Sequence, residues 1–233
     1  MRRNIPFAAF VLLVPFVSVA APQPLNNCQT LSQPGSYEVN RNLNANGDCL
    51  VIAADFVTVD LNGFVLSGNG AGAGIAVPAG PVRRGLSVRN GVATGFLNGI
   101  DAANTTGTAV ERVYATGNTL HGILAGDRAI VSRSRSTNNG GDGIRVGRGA
   151  TVAGNVVGDD QNGIFADAGS SVLHNASRNN RAHGVVMDCP GLFLGNVSSN
   201  SGTGPTGGDN FHDFSGGCVE NVHNAAGPQP PGD

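Results

Sequence analysis

The sequence predicts an all-β fold in which short strands form the stacked coils of a solenoid. A Gly followed by Ile or Val recurs, with glycines at 74, 99, 122, 143, 163 and 184 that are 25, 23, 21, 20 and 21 residues apart. The segments between them show apolar alternation and no helical period. A repeat this short without helices is typical of stacked β coils. At 233 residues, the chain can enclose one sizeable core.

The composition is consistent with tight turns between short strands. Gly accounts for 36 residues, whereas aromatic residues make up 5% and charged residues 13% of the chain. All 14 basic residues are Arg, which excludes Schiff-base and P-loop lysine chemistry. Without Arg2 and Arg3 the chain carries 12 Arg and 16 acidic residues, a net charge of −4. This balance gives no support for binding nucleic acid or an anionic membrane.

The first twenty residues are predicted to be a secretory signal peptide. Arg2 and Arg3 precede an apolar run from Pro6 to Val19, and small residues at Ser18 and Ala20 favour cleavage before Ala21. We therefore expect a secreted or periplasmic protein with no membrane span. Residues 21–27 are expected to be a disordered lead, 28–225 the folded domain and 226–233 a disordered tail.

Four cysteines, Cys28, Cys49, Cys189 and Cys218, occur as an early and a late pair. They allow three connectivities. The absence of a Cys-x-x-Cys spacing favours disulfides over a metal site. We expect Cys28–Cys49 and Cys189–Cys218, each closing one end of a solenoid whose terminal strands would otherwise have unpaired edges.

The individual elements follow from alternation and turn residues. Leu50–Ile52 is predicted to be a strand, as is the segment in which Val57, Val59 and Leu61 alternate with polar residues. Asn62-Gly63 then turns the chain. From there two polar series follow the coil period. The first, here called the Asn175 ladder, is predicted to contain Asn90, Arg112, Arg133, Asn155, Asn175, Asn196 and Asn221. The second, the Asn139 ladder, is predicted to contain Asn118, Asn139, Asp160, Asn180 and Asn200.

The ladders have a local physical reason. Stacked coils lie about 4.8 Å apart, so a side chain meets its equivalents directly above and below. The Asn amide both donates and accepts hydrogen bonds, and Asn tolerates the left-handed backbone of sharp turns. The Ile and Val residues that follow the repeat glycines are expected to point inward and stack as an aliphatic core.

The opening of the domain carries a family resemblance. Pro34-Gly35-Ser36-Tyr37, Leu43, Cys49 and the segment from Val57 to Phe64 resemble exported bacterial right-handed parallel β-helix repeat proteins of the pectate lyase-like superfamily. The resemblance covers roughly residues 28–225. It implies a single-domain right-handed parallel β-helix of about seven or eight coils. The superfamily includes pectate lyases, polygalacturonases, alginate epimerases, phage tailspikes and non-catalytic members, so the fold does not fix an activity.

The residue before each repeat glycine offers the candidate site. In order these residues, here called the site row, are Asn98, His121, Asp142, Asn162 and His183. Asp142-Gly143 and His183-Gly184 resemble the first and third polygalacturonase motifs, but Gln161-Asn162 replaces the paired aspartates that hydrolysis requires. The later Arg-Ile-Lys motif is also missing. His121, Asp142 and His183 are the catalytic candidates. The alternative is a polar stacking ladder at a turn.

A uronate-directed lyase or epimerase would need a cation for the substrate carboxylate and a base for the C5 proton. Arg112, Arg133 and Arg145 are the candidates for binding an acidic sugar. Glu111 and Asp127 offset this charge if the arginines only form a solvated face. The Asp-Pro-His motif of alginate epimerases is absent.

No dedicated metal site is predicted. Ca²⁺ could be bound by Asp159-Asp160 together with Asp142 or Asn139, although a turn explains the same residues. His212 and His223 lie near Cys218 and are interpreted as part of a C-terminal cap.

These residues favour a non-catalytic polysaccharide-binding or surface-matrix rod. The alternative is a lyase or epimerase, or less plausibly a glycoside hydrolase, centred on Asp142 and His183. A structural protein without a sugar ligand is the third class.

Overall fold

A computed structural model describes residues 21–202, 210–213, 218–220 and 225–226. The predicted signal peptide, residues 227–233 of the predicted tail, Asn221 and His223 lie outside the described residues. Every strand pair in the described part is parallel, and no helix occurs there. The architecture is a parallel β-helix of about eight coils, as the sequence predicted.

The strands are short and follow one another at each side of the coil. In chain order they are β1 (Gln23–Leu25), β2 (Gln29–Leu31), β3 (Gly35–Val39), β4 (Leu43–Asn44), β5 (Leu50–Ile52), β6 (Val57–Asp60), β7 (Val65–Ser67), β8 (Ala73–Ala76) and β9 (Arg83–Arg84). They continue with β10 (Ser87–Thr94), β11 (Asn98–Thr106), β12 (Ala109–Thr116), β13 (Ile123–Asp127), β14 (Ile130–Ser132), β15 (Arg135–Thr137), β16 (Ile144–Val146), β17 (Thr151–Ala153) and β18 (Val156–Gly158). The last are β19 (Ile164–Ala166), β20 (Ser171–Leu173), β21 (Ala176–Arg178), β22 (Val185–Met187), β23 (Leu192–Leu194), β24 (Val197–Ser199), β25 (Phe211–Asp213), β26 (Val219–Glu220) and β27 (Ala225–Ala226).

Each coil passes through three faces. The ten-stranded sheet B contains β13, β16, β19 and β22. The seventeen-stranded sheet A contains two faces, because β10 and β12 each continue around a corner and join them. Face A1 holds β14, β17, β20 and β23, and face A2 holds β15, β18, β21 and β24. One coil therefore runs from sheet B to A1, around a corner to A2, and back to sheet B.

The interior is an aliphatic stack built by alternation. Val57, Val59 and Leu61 are fully buried on one side of their segment, as predicted. The isoleucines that follow the repeat glycines pair in register, and Ile100, Ile123, Ile144 and Ile164 are fully buried. Burying such a side chain contributes roughly 1.5–3 kcal/mol. The repeat of the sequence is thus a repeat of core contacts.

The corner between A1 and A2 corrects the predicted Asn175 ladder. Arg112 and Arg133 lie at a left-handed corner position, with φ of 53° and 50°. The strand register places Gly154, His174 and Gly195 at this same position in the following coils. The buried position one residue later holds Ser134, Asn155, Asn175 and Asn196. The arginines therefore stack on adjacent coils, as expected, but they do not replace Asn in the ladder.

The Asn175 ladder is a chain of amide hydrogen bonds inside the corner. Asn155 donates its backbone N–H and its Nδ2 to Asn175 Oδ1, at 2.9 and 3.0 Å. Asn175 repeats both bonds to Asn196 Oδ1 at 3.0 Å. The second Nδ2 proton of Asn175 reaches the carbonyl of Val152, at 2.9 Å. Each amide thereby satisfies backbone groups that a corner would otherwise leave buried and unpaired.

The Asn139 ladder lies inside the corner between A2 and sheet B. Asn118, Asn139, Asp160 and Asn180 are buried there, as predicted, whereas Asn200 is exposed at the left-handed position with φ of 53°. Ser201 takes the interior position instead and is fully buried. The sequence prediction was therefore off by one residue at this coil.

The repeat glycines are required by this second ladder. Asn139 Nδ2 donates to Ser136 Oγ at 3.0 Å, and Ser136 donates to the carbonyl of Gly143 at 2.7 Å. A Cβ on Gly122 would clash with Ser136 Oγ and would lie 2.7 Å from the Gly143 carbonyl oxygen. At Gly122 and Gly163, the Ser–Asn cluster thus occupies the space that a side chain before the isoleucine would need.

Both predicted disulfides are present, with Cys28 bonded to Cys49 and Cys189 bonded to Cys218. The first lies at the start of the solenoid and the second near its end. Residues 21–27 differ from the predicted disordered lead, because Gln23–Leu25 form strand β1 and pair with β3. Leu25 is 1% exposed, so burial of one apolar side chain anchors this segment. Strand β27 also extends to Ala226, one residue into the predicted tail.

Candidate functional site

The site row lies at the corner where each coil enters sheet B, and its members stack in the predicted order. The repeat glycines below it are bonded coil to coil, with the Gly99, Gly122, Gly143 and Gly163 amides donating to the carbonyls of the next row residues. The side chains of Asn98, His121 and Asn162 each accept the backbone N–H of the next row residue, at 3.0–3.1 Å. The side chains of the site row therefore serve in the first place to satisfy backbone N–H groups at this corner.

His121 and Asp142 are brought together by this stacking. His121 Nδ1 accepts the Asp142 N–H at 3.0 Å and lies 3.6 Å from Asp142 Oδ2. Burial lowers the pKa of His121, although the neighbouring Asp142 charge acts in the opposite direction. A neutral ring that accepts at Nδ1 carries its proton on Nε2. The basic nitrogen Nδ1 is therefore already engaged by a backbone N–H.

Asp142 is held by neighbours on both sides. Arg145 donates to Asp142 Oδ2 at 3.0 Å, and Asn162 Nδ2 donates to Oδ1 at 2.7 Å. The Asp142 side chain is 4% exposed, whereas that of Arg145 is 40% exposed. Both carboxylate oxygens thus accept charge-assisted or amide hydrogen bonds within the protein. The exposed part of the pair is the guanidinium.

His183 lies away from this pair. The register places it two coils beyond Asp142, roughly 10 Å along the solenoid axis. Its ring stacks on that of His212, with centroids 4.4 Å apart. His212 lies in β25, the last strand of sheet B, next to β22. The three catalytic candidates therefore share a row but do not converge on one point.

The outward side of sheet B adds an aromatic ring that the sequence prediction missed. Arg145 and Phe165 occupy equivalent positions in neighbouring strands, and the Arg145 guanidinium carbon lies 4.1 Å from the Phe165 ring centroid. This is cation–π geometry. The alternation in Ile144-Arg145-Val146 and Ile164-Phe165-Ala166 was the available signal, because it directs both middle residues outward.

Two depressions flank this network on sheet B. One has a volume of about 220 Å³ and is lined by residues that include Leu124, Gly126, Asp127, Arg145, Gly147 and Asp167. The other has a volume of about 270 Å³, and its lining includes Asp48, Ala76, Pro78, Leu97, Asn98 and Asp101. They lie at successive coils of one face, with the His121–Asp142 pair at the corner beside them. The lining carries four carboxylates and one guanidinium.

Burial also affects a carboxylate at the rim. The pKa of Asp167 is raised chiefly by burial, and Arg145 opposes this effect while the charge of Asp188 adds to it. Nearby negative charges raise this pKa further, so an anionic ligand beside Asp167 would be disfavoured. The acidic residues of this depression, Asp127 and Asp167, therefore disfavour negatively charged ligands.

The two other predicted binding arginines lie elsewhere. Arg112 and Arg133 project from the corner between A1 and A2, and both contact Glu111, at 3.5 and 2.9 Å. Arg112 Nε also donates to Asn90 Oδ1 at 2.9 Å. Their side chains are 54% and 70% exposed. The structure separates them from Arg145, which projects from sheet B, so the three arginines do not form one site.

The acidic pair considered for Ca²⁺ is split by the fold. Asp159 is exposed at a left-handed corner with φ of 59°, whereas Asp160 is fully buried in the Asn139 ladder. Asp160 Oδ1 accepts the Asn139 N–H and Nδ2, at 2.8 and 3.0 Å. Among the described residues, no group of three or more His, Cys, Asp or Glu side chains has an arrangement that could hold a metal ion.

Comparison with known proteins identifies no family for this chain. No protein-family model matches it, and no curated protein is significantly similar. Among solved structures, the catalytic domain of Agl-KA is similar at 15% identity and a TM-score of 0.47. The similarity covers 76% of this chain and 41% of that domain, so the chain spans less than half of the matched protein.

Proposed function

We propose that this chain is a non-catalytic polysaccharide-binding protein and that the sugar chain lies along sheet B. The observation that carries the proposal is the combination of two depressions on one face with the preorganised His121–Asp142–Arg145–Phe165 network. A fixed guanidinium, an imidazole N–H and an aromatic ring can together serve the hydroxyls and the apolar C–H faces of a sugar. The coil spacing of about 4.8 Å is close to the length of one sugar unit in an extended chain.

The hydrogen bonds favour binding over catalysis. Acid–base chemistry on a sugar needs a group that is free to take a proton from the ligand. His121 Nδ1 accepts a backbone N–H, and both Asp142 oxygens accept bonds from protein side chains. His183, the third candidate, lies two coils away. The network is therefore suited to holding a ligand by donated hydrogen bonds.

The charges of sheet B favour a polysaccharide of low charge. Asp48, Asp101, Asp127 and Asp167 line the two depressions, against Arg145 alone. The other two candidates for binding an acidic sugar, Arg112 and Arg133, project from another corner and contact Glu111 there. Like charges facing one another across an interface disfavour association. We therefore expect neutral polymers to bind more tightly than polyuronates.

An exported location fits this role. Structural disulfides persist in oxidising compartments, and both pairs are formed. In the described part of the chain, no helix has the length and apolarity to cross a membrane. Together with the predicted signal peptide, these features support the proposal of a secreted or periplasmic protein that meets polysaccharides outside the cytoplasm.

The test is a glycan-binding screen of the protein from Ala21, followed by affinity measurements with Arg145→Ala and Phe165→Ala. We expect each substitution to weaken binding about tenfold, the effect of losing roughly 1.4 kcal/mol. Arg135→Ala is the matched control, because Arg135 also lies over an aromatic ring, 5.0 Å from the Tyr114 centroid, but on face A2. Its affinity should be unchanged.

Three results would contradict the proposal. Equal losses for Arg135→Ala and Arg145→Ala would place the sugar away from sheet B. Turnover of polyuronates, seen as unsaturated product absorbance and abolished by His183→Ala, would favour the lyase. If no glycan binds, the chain belongs with purely structural solenoids.

A further inference from the structure

One carboxyl group inside the Asn139 ladder lacks the partners of its equivalents. Ser136 and Ser177 occupy the same position two coils apart, and each hydroxyl donates to a repeat-glycine carbonyl, Gly143 at 2.7 Å and Gly184 at 2.8 Å. The ladder amides of Asn139 and Asn180 donate to these hydroxyls. The coil between them has Val157 in place of the serine. It therefore offers no hydroxyl to the carbonyl of Gly163.

Asp160 fills the space that the serine would use. A Cβ added to Gly143 would clash with Asp160 Oδ2 and would lie 2.7 Å from the Gly163 carbonyl oxygen. A Cβ added to Gly122 meets Ser136 Oγ and the Gly143 carbonyl in the same way. Asp160 Oδ2 thus stands where the serine oxygens stand in the neighbouring coils. It is the only buried side-chain N or O atom of the described residues without a hydrogen-bond partner when the carboxyl is treated as an acceptor.

We propose that Asp160 is a neutral carboxylic acid in the folded protein and that its Oδ2–H donates to the carbonyl of Gly163, replacing the missing serine. Its other oxygen, Oδ1, accepts from Asn139 as an asparagine at this position would. In the acid form, Oδ1 accepts as an asparagine oxygen would, and Oδ2–H donates as the serine hydroxyls do in the neighbouring coils. An ionised form would direct an unpaired negative charge at a carbonyl oxygen inside the core, which is strongly unfavourable.

The groups around Asp160 agree with this protonation state. Burial raises the pKa of Asp160 to about 8, against the hydrogen bonds from Asn139 and the Gly158 backbone, and the charge of Asp159 adds to the rise. From the next coil, Arg181 donates its backbone N–H to the Asp160 carbonyl, while its guanidinium is engaged by the carbonyls of Asn139 and Gly140. The remaining titratable groups nearby are Tyr114 on face A2, Arg178 in β21 and Asp142 beside Gly143.

Asp160 is thereby a positioning residue for sheet B. Gly143 follows Asp142 and Gly163 follows Asn162, so the acid contacts the backbone directly beneath the two row residues that hydrogen-bond to each other. Ionisation of Asp160 would break its hydrogen bond to the Gly163 carbonyl. The backbone at Gly143 and Gly163 would then be held less firmly, which would weaken the Asp142–Asn162 hydrogen bond. This role concerns the stability of the fold, and it can be tested whether or not the protein binds a sugar.

The sign of the pH dependence follows from the two pKa values. The folded pKa of about 8 lies above the unfolded value of 3.8, so the folded state holds the proton more tightly. The stability that protonation contributes is complete below about pH 4, falls as pH rises toward 8, and is lost above that. Asp160→Asn has no such proton and keeps both hydrogen bonds, since its Nδ2 can donate to the Gly163 carbonyl.

The experiment compares thermal unfolding of wild type, Asp160→Asn and Asp159→Asn from pH 4 to pH 9. We expect the Tm of Asp160→Asn to match wild type near pH 4 and to exceed it by roughly 10–20 °C at pH 8. Asp159→Asn removes the adjacent, exposed carboxyl and should show no such divergence. A constant Tm difference across this range, or a destabilised Asp160→Asn, would overturn the proposal.

A second measurement reads the proton directly. The infrared spectrum of the folded wild type at pH 6 should contain a carbonyl band of a protonated carboxylic acid, absent from Asp160→Asn and retained in Asp159→Asn. Hydrogen exchange at the amide of Ile144, which donates to the Gly163 carbonyl at 3.0 Å, should lose protection above pH 8 in wild type and in Asp159→Asn, but not in Asp160→Asn. Absence of the infrared band would overturn the assignment.

Discussion

Two corners of the solenoid, between A1 and A2 and between A2 and sheet B, are each lined by a ladder of buried polar side chains, but the two ladders differ in chemistry. The Asn175 ladder consists of amides over three successive coils, in which Asn155 donates to Asn175 and Asn175 donates to Asn196. The Asn139 ladder is interrupted by a carboxyl group at Asp160. An amide carries donors and an acceptor at every pH, whereas a carboxyl group carries a donor only when protonated. A buried ladder therefore tolerates Asp only where the proton is retained.

The largest effect is expected from breaking the all-amide ladder at its centre. Asn175→Leu removes four hydrogen bonds and leaves the backbone N–H of Asn155 buried without its partner. We expect a loss of roughly 3–5 kcal/mol in the free energy of unfolding, measured by denaturant titration. Asn179→Gly is the control, because Asn179 is exposed at a left-handed corner, with φ of 55°, that Gly adopts without strain. Equal losses in both variants would mean that the ladder bonds contribute little.

A smaller loss is expected at a repeat glycine beside the Asn139 ladder. The Cβ of Gly163→Ala would clash with Ser177 Oγ and would lie 2.8 Å from Asn180 Nδ2. We expect the variant to lose roughly 2–3 kcal/mol, because the polar cluster must move in a close-packed interior. Unfolding curves of this variant should be compared with those of Gly154→Asn. Gly154 has φ of 66° and open space where a side chain would project, and the equivalent coils carry Arg133 and His174.

For that control we expect a change within about 1 kcal/mol, since Asn tolerates the left-handed backbone. If Gly154→Asn proved as harmful as Gly163→Ala, backbone conformation and not the Ser–Asn cluster would explain the repeat glycines.

The smallest effect is expected from restoring the serine that the middle coil lacks. In the Asp160→Asn background, Val157→Ser recreates the Ser–Asn–Gly arrangement of the neighbouring coils, and the gained hydrogen bonds offset the lost burial to within about 1 kcal/mol. In the wild-type background, the same hydroxyl would donate to Asp160 Oδ2 and lower its pKa. The pH dependence of Tm between pH 4 and pH 8 should then become shallower. An unchanged slope would show that the hydroxyl does not reach the carboxyl group.

The site itself was only partly predictable from the sequence. The site row was found because each member precedes a repeat glycine, and the fold stacks these residues in order. Its pairing with Arg145 and Phe165 was missed, because those residues belong to a different outward position of the same strands. Arg145 was named beside Arg112 and Arg133 as a candidate for sugar binding, but it projects from a different face of the solenoid. The spacing along the chain shows which coil a residue belongs to. It does not show from which of the three faces the residue projects.

The sequence by itself determined the coil. The period near 21 residues, the inward Ile and Val positions, both cysteine pairs and the interior positions of Asn118, Asn139, Asp160 and Asn180 all follow from patterns that each coil repeats. These features are local, because every coil packs mainly on its two neighbours.

Only the tertiary structure decided the positions that differ by one residue. Asn suits both the exposed left-handed corner and the buried position after it, so spacing alone assigned Arg133 to the Asn175 ladder and Asn200 to the Asn139 ladder. The stacking register places Ser134 and Ser201 there instead. The same shift of one residue separates exposed Asp159 from buried Asp160. Whether a carboxylate is solvated or must keep its proton depends on burial, which the neighbouring coils impose and the local sequence does not record.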